Sequence, residues 1–132
     1  MSQLHAIAKQ RVTTLYLDRD QTYRGHVVLI FTPRHVARLD QLSLQEWLDL
    51  AADLYAAQRA VVKVVAPDHV NTESLGNVVA HLHWHVFPRY RADPRWRQPV
   101  WMTNASDMPR QQLAEQEFLD LAAAIGAALE RS

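Results

Sequence analysis

Three of the seven histidines in this 132-residue chain stand at alternate positions within one short segment. The segment reads His81-Leu82-His83-Trp84-His85. This alternation is typical of a β-strand with two different faces, so the imidazoles should point to one side and the apolar side chains to the other. Because a neutral imidazole is both a nucleophile and a proton carrier near neutral pH, the pattern predicts a reaction centre. The alternative is a half-exposed strand that happens to be rich in histidine.

An alternative use of the same histidines is to bind a metal ion. At a rise of about 3.3 Å per residue, His81 and His85 would lie about 13 Å apart along a straight strand, so one ion could take two neighbouring histidines but hardly three. A zinc centre would need ligands from elsewhere, and the candidates show no ligand spacing. These candidates are His26, His35, His69 and scattered carboxylates. We therefore expect His83 to attack without a metal or other cofactor, and a catalytic metal is the alternative.

The composition narrows the classes of partner. Fourteen basic and fourteen acidic residues give no net charge, which argues against a nucleic-acid-binding surface. The chain has no cysteine, so disulfides, thiol catalysis and cysteine-type zinc sites are excluded. Residues 1–10 contain no long apolar run, and no segment approaches the roughly 18 apolar residues of a membrane span. We expect a soluble, cytoplasmic protein with neither a nucleic-acid nor a membrane partner.

Local patterns predict both strands and helices. The residues themselves indicate four strands, at 12–17, at 26–31, around 69–72 and at the histidines. Ser43-Leu44-Gln45-Glu46 is a capping-box pattern and predicts a helix over about 44–64. Asp107 can cap a last helix, with Pro109 in its first turn. That helix would carry one apolar stripe, formed by Leu113, Phe118, Leu121, Ile125 and Leu129. Strand pairs and helices without βαβ alternation predict an α+β fold with a mainly antiparallel sheet.

The histidine segment also carries a family resemblance. Residues 81–87 resemble the signature of the histidine triad (HIT) family of nucleotide hydrolases and transferases, in which three histidines alternate with apolar residues. The similarity extends over roughly residues 12–101, and Leu75-Gly76-Asn77, Pro88-Arg89-Tyr90 and residues 98–101 resemble a bacterial branch of the family. It includes 25–30 as the second strand, Pro33-Arg34-His35 as the turn after it, Asn71 with Gly76-Asn77 before the triad, Pro88-Arg89-Tyr90 and 98–101. The resemblance implies a single HIT-like domain over 1–132, with a mainly antiparallel five-stranded sheet and two main helices.

The same resemblance implies a role for each histidine of the triad. His83 would attack the α-phosphorus and form a nucleotidyl-histidine, which water then resolves. His85 would contact phosphate oxygens and help the leaving group, and His81 would orient His83 through hydrogen bonds of the strand. Asp18, eight residues before His26, would accept hydrogen bonds from the ribose hydroxyls, since a carboxylate only accepts. An ordinary turn residue is the alternative for Asp18.

Four further residues are candidates for substrate binding. His26 and Asn71 would line the same pocket, although a packed strand histidine is the alternative for His26. Asn77 stands where the family often has a longer Gln, and Val78 replaces a family Ser or Thr, so no side-chain hydroxyl is available there. Arg89 begins a group of arginines that could meet the outer phosphates of a polyphosphate or form a solvated face.

The resemblance finally implies a function and an assembly. The substrates would be purine nucleotides with a phosphoramidate or phosphoanhydride leaving group, including dinucleoside polyphosphates, and the protein would be a homodimer. A nucleotide-binding regulatory module with weak or vestigial catalysis is the competing function.

Overall fold

The structure, a computed structural model, describes residues 3–102 and 110–130. Its strands are β1 Leu4–Lys9, β2 Thr13–Asp18, β3 Val27–Phe31, β4 His69–Glu73 and β5 His83–Arg89. Its main helices are α1 Leu44–Val65 and α2 Glu115–Glu130, and short 3₁₀ helices cover Leu39–Gln41 and Val100–Met102. All neighbouring strands are antiparallel and the sheet order is β1-β2-β3-β5-β4. The predicted α+β architecture, with a five-stranded antiparallel sheet and two main helices, is confirmed.

Helix α1 forms where its local sequence predicts it. The Ser43 hydroxyl accepts a hydrogen bond from the Glu46 backbone, and the Glu46 carboxylate accepts one from the Ser43 backbone, which satisfies two free N–H groups at the helix start. The helix ends at Val65, and the residue that follows it, Ala66, adopts a left-handed conformation with φ 47°. No helix within the described residues has both the length and the apolar character needed to cross a membrane.

One face of the sheet is covered by the two main helices, and the other face carries the histidines. One face packs against α1 and α2 to form the main core. Its strand residues include Leu15, Leu17, Val27, Leu29 and Val86, and its helix residues include Ala57, Val61, Phe118, Leu121 and Ile125. Since side chains alternate along a strand, Val28, Ile30, His83 and His85 face the opposite side. The histidines therefore stand on a rigid sheet whose other face is buried.

A buried carboxylate ties the first hairpin to α1. Asp53 accepts hydrogen bonds from the backbone N–H of Arg11 at 3.0 Å and of Val12 at 2.9 Å. The hydroxyl of Thr13 donates a third bond at 2.9 Å. Since the Asp53 side chain is buried, these three donors offset the cost of removing it from water.

Two expectations about element boundaries are wrong. Helix α2 begins at Glu115, not directly after Asp107 and Pro109, which themselves lie outside the described residues. The chain before it is held non-helical because Gln111 exchanges hydrogen bonds with the β2–β3 loop, accepting from the Gln21 backbone and donating to the Thr22 hydroxyl. Leu113 therefore precedes α2, although it was expected to lie on the apolar stripe of that helix.

The histidine strand also starts later than expected. His81 lies in a bend, and β5 begins at His83, which is the Cα partner of Ile30. The reason is that the backbone of Leu82 bonds to both sides of the turn after β3, donating to Val36 O at 2.8 Å and accepting from Phe31 N at 3.1 Å.

Candidate active site

A cavity of about 420 Å³ on the open face of the sheet brings all three histidines of the triad together with Asp18 and Asn77. The rest of its wall is mainly apolar and consists of Leu4, Val28, Ile30, Leu75, Gly76, Val78, Val79 and Trp101. A largely apolar cavity of this size with a few convergent polar groups is typical of a small-molecule site.

The hydrogen bond of His83 defines which of its nitrogens is free. His83 Nδ1 lies 2.7 Å from the backbone oxygen of His81. Because a carbonyl oxygen only accepts, Nδ1 must carry the proton, and the neutral ring keeps its lone pair on Nε2. The Ser74 hydroxyl donates to the backbone oxygen of His83 at 2.6 Å and fixes the backbone at this residue. His83 Nε2 is therefore the nitrogen available for attack.

The side chain of His81 is held by the protein on both of its nitrogens. Its Nε2 lies 2.5 Å from the backbone oxygen of Phe31, and its Nδ1 lies 2.9 Å from Nδ1 of His35. The imidazole of His81 thus does not bond to His83, and the contact that orients His83 comes from the backbone carbonyl of His81.

His26 and His85 form a second pair, in which His85 lines the histidine cavity, whereas His26 lines a neighbouring cavity and not the one that holds the triad. Nε2 of His26 lies 2.9 Å from Nδ1 of His85, and the His26 ring stacks on Phe87 with centroids 4.0 Å apart. Burial and, to a smaller extent, the neighbouring His85 together lower the pKa of His26 to about 3. Burial, followed by the proximity of His83, lowers the pKa of His85 to about 4. Both imidazoles are therefore neutral at physiological pH.

Asp18 lies at the point where the histidine cavity meets a second cavity of about 450 Å³. One carboxylate oxygen accepts the Asp20 backbone N–H at 2.8 Å, and the other lies 3.7 Å from Nδ1 of His26. Burial raises the pKa of the Asp18 carboxyl. His85 and Trp101 also line both cavities.

Asn71 and Arg89 do not join the histidines. Arg89 is fully buried, donates to Asn71 Oδ1 at 2.7 Å and forms an ion pair with Asp93 at 3.1 Å. Its guanidinium also donates to the backbone oxygens of Arg95 and Gln98. Both Asn71 and Arg89 line a separate cavity beside β4. The geometry thus gives Arg89 a structural task in place of the expected contact with phosphates.

Several contacts in the site were not foreseen from the sequence. Trp101 packs edge-on against His85 and Phe87, with centroids 5.5 and 5.6 Å away, and its indole N–H donates to Glu73. Ser74 and His35 hold the triad as described above. Ser74 lies in the loop before the triad and His35 in the turn after β3, and both segments belong to the family resemblance. The residue types alone do not specify which atoms these side chains contact.

Metal ligands do not cluster in the described parts of the chain. Among residues 3–102 and 110–130 no group of three or more histidine, cysteine, aspartate or glutamate side chains is arranged to hold an ion.

Comparison with known proteins gives a family and a set of similar structures. A family model described as the HIT domain matches residues 2–92. A histidine triad protein from Marinobacter aquaeolei is 25% identical, with a TM-score of 0.85 over 98% of this chain and 90% of that one. Histidine triad proteins from Bradyrhizobium japonicum and Sinorhizobium meliloti are 20% and 22% identical, with TM-scores of 0.86 and 0.85 over 96% of this chain and 91% and 90% of theirs. None of the curated proteins matches this chain at a significant level.

Proposed function

The chain belongs to the HIT family, and we propose that it hydrolyses or transfers nucleotides by attack of His83 on the α-phosphorus of a purine nucleotide. Family membership supports a nucleotide-binding hydrolase or transferase in general. The observation that carries the finer proposal is the hydrogen bond from His83 Nδ1 to the carbonyl of His81, which leaves Nε2 unprotonated beside the cavity.

The first step of the proposed reaction forms a covalent intermediate. The Nε2 lone pair of His83 forms a bond to phosphorus while the bond from phosphorus to the leaving group breaks, and the leaving group departs with the bonding electron pair. The ring becomes positively charged, and its Nδ1–H remains bonded to the His81 carbonyl, which stabilises that charge. A phosphoramidate nitrogen must gain a proton to leave as an amine, and we propose that solvent water supplies this proton, because the neutral His85 has none to give on its accepting nitrogen.

The second step releases the nucleotide. Water attacks the phosphorus, the bond to His83 Nε2 breaks and the nucleoside monophosphate leaves, with His83 restored as a neutral base. His85 lies next to His83, with ring centroids 5.2 Å apart, and its low pKa keeps it neutral. A neutral imidazole can accept a proton from the attacking water and, with a pKa of about 4, passes it on to solvent, so we assign His85 the role of general base in this step, beside the contact with phosphate oxygens.

The cavity offers separate surfaces for sugar and base. Leu4 is the Cα partner of Asp18 in the β1–β2 ladder, so a ribose bonded to Asp18 would place its base near Leu4 and Val28. The apolar side chains suit the faces of a purine, and the Asp18 carboxylate suits two hydroxyl donors. Asn77 lines the same cavity and offers an amide N–H to a phosphate oxygen. Phosphoramidates and dinucleoside polyphosphates are the two proposed substrate classes.

We also propose that two copies of the chain form a homodimer through α1 and β4. Strand β4 is at the edge of the sheet formed by the described residues, and an edge strand can pair with a further strand. Helix α1 exposes the apolar side chains Leu48, Tyr55 and Val62, by 51%, 65% and 40%. Light scattering should give the mass of two chains for the wild type and of one chain for Tyr55→Glu. A single-chain mass for the wild type would exclude the dimer.

The function is tested by incubation with adenosine 5′-phosphoramidate and, separately, with diadenosine polyphosphates, followed by chromatographic detection of AMP. We expect wild-type protein to release AMP from at least one class and His83→Ala to release none while still binding AMP. His5→Gln is a matched control because His5 contacts Phe118 on the other face of the sheet.

After an acid quench, the label of a radioactive substrate should map to the peptide that contains His83 and should be acid-labile. AMP binding without turnover by the wild type would favour the regulatory module, and label on another residue would refute the nucleophile.

A further inference from the structure

His35 makes an ordered contact although it is exposed to solvent. It lies in the turn after β3, and its ring stacks on that of His81 with centroids 5.0 Å apart and planes 19° from parallel. The Nδ1 atoms of the two rings are 2.9 Å apart, which is a hydrogen-bond distance.

The backbone oxygen of Phe31 determines which nitrogens of the His35–His81 pair carry protons. Nε2 of His81 faces the backbone oxygen of Phe31, which only accepts, so Nε2 must carry a proton. In a neutral His81 ring the other nitrogen, Nδ1, is then an acceptor. A hydrogen bond between two Nδ1 atoms 2.9 Å apart requires a proton on one of them. Because Nδ1 of His81 is the acceptor, His35 must donate its Nδ1–H to His81.

We propose that His35 is a positioning residue for His83 that acts through His81. By donating to His81 Nδ1, it holds that ring in the form that bonds to Phe31 and thereby fixes the bend at residue 81. The backbone oxygen of the same bend accepts the Nδ1–H of His83 at 2.7 Å. This inference rests on the proposed function, since the consequence of losing His35 is a His83 ring whose Nε2 lone pair is less well directed.

Loss of the His35 ring has a definite physical consequence. Without its N–H donor, His81 is free to take the alternative tautomer with the proton on Nδ1, and in that form Nε2 cannot donate to Phe31. The His81 side chain then loses its attachment to the end of β3. The backbone of Leu82 remains bonded to Val36 and Phe31, so the bend should loosen without unfolding.

The experiment compares His35→Ala, His35→Asn and Arg34→Ala. The Asn side chain can place an amide N–H close to the position of the His35 Nδ1–H. Arg34→Ala is the local control, because Arg34 bonds to Glu46 and to the Gln41 backbone and leaves His81 untouched. Two readouts are measured, namely the tautomers of His81 and His83 by long-range ¹⁵N–¹H NMR and the kcat and KM for adenosine phosphoramidate.

We expect wild-type His81 to be protonated on Nε2 and His83 on Nδ1. In His35→Ala the His81 signal should become a mixture of tautomers, and kcat should fall about 3- to 10-fold, the scale of one neutral hydrogen bond, while KM stays nearly constant. His35→Asn should restore both readouts, and Arg34→Ala should leave both unchanged.

The inference is overturned if wild-type His81 carries its proton on Nδ1, if His35→Ala leaves its tautomer unchanged, or if His35→Asn loses as much rate as His35→Ala. Failure of the proposed function has a different signature. In that case the wild type releases no AMP, while the tautomers of His81 and His83 still decide whether His35 positions them.

Discussion

Nε2 of His26 and Nδ1 of His85 share one hydrogen bond of 2.9 Å between two neutral rings. One of these nitrogens must be protonated and the other must accept, so the pair cannot hold a second proton on this axis without breaking the bond. His26 is enclosed by Phe87 as well as His85, and so it has little access to water. The pair thus keeps a histidine-rich site from accumulating positive charge.

We predict that His26 and His85 stay neutral under mildly acidic conditions. Their pKa values, about 3 and about 4, lie well below the ordinary 6.5 because burial disfavours the charged form. ¹⁵N NMR of histidine-labelled protein at pH 5.5 should show both rings uncharged, whereas the same residues in urea should be mostly protonated. Protonated His26 in the folded protein at pH 5.5 would contradict the burial argument.

The same shift predicts how stability depends on pH. Between about pH 3 and 6.5 the unfolded chain binds a proton at residue 26 that the folded chain does not, so the free energy of unfolding falls as the pH decreases through this range. Urea unfolding at pH 7 and pH 5 measures the effect. In His26→Gln the difference between the two pH values should be smaller than in the wild type. An equal difference would assign the pH dependence to other groups.

Asp18 should set the preference for ribonucleotides. Asp18→Asn retains an oxygen that can accept the Asp20 N–H but removes the charge offered to the ribose hydroxyls. We expect weaker AMP binding, by about 1.5–3 kcal/mol at most, and a smaller preference for AMP over dAMP. Calorimetric titration with the two nucleotides measures both quantities. If the ratio of the AMP and dAMP affinities does not change, Asp18 does not bind the sugar.

The nucleophile assignment predicts that a phosphoramidase activity survives chelation. An imidazole that attacks phosphorus needs no metal-bound water, although magnesium can assist a polyphosphate by screening its charge. Turnover of adenosine phosphoramidate should therefore be the same before and after dialysis against EDTA. Complete loss, with recovery on addition of zinc, would replace the proposed mechanism with a metal-dependent one.

Helix α1 could be predicted from sequence because its signals are local. Its capping box spans Ser43 to Glu46, and its apolar residues repeat at helical spacing, so the expected end at about 64 lies one residue from the observed end at Val65. Strand β1 was not located from its residues. Its pairing with β2 shifts register between Ala6 and Ala8, which interrupts the alternation that identifies a strand.

The site was predictable in its residue types and less so in its contacts. Alternation placed His83 and His85 on one face, but the position of His81 depends on Leu82 pairing with Val36, which is distant in sequence. The contacts of Arg89 were equally difficult to predict, because the sequence around it does not show that its guanidinium is surrounded by Asp93 and two backbone carbonyl groups. These outcomes are decided by tertiary contacts, which a strand or charge pattern does not encode.

The three bonds accepted by Asp53 predict a specific cost in stability. Asp53→Asn keeps one acceptor oxygen and replaces the other by an NH₂ group, so either the Arg11 N–H, or the Val12 N–H together with the Thr13 hydroxyl, loses its acceptor, and the charge that strengthens all three bonds is removed. We expect the free energy of unfolding to fall by about 2–3 kcal/mol, measured by urea denaturation. Asp49→Asn is the matched control on the same helix, because Asp49 pairs with an exposed Arg11 at 3.9 Å and should change stability by less than about 1 kcal/mol. Equal effects of the two substitutions would show that the buried carboxylate does not anchor the hairpin to α1.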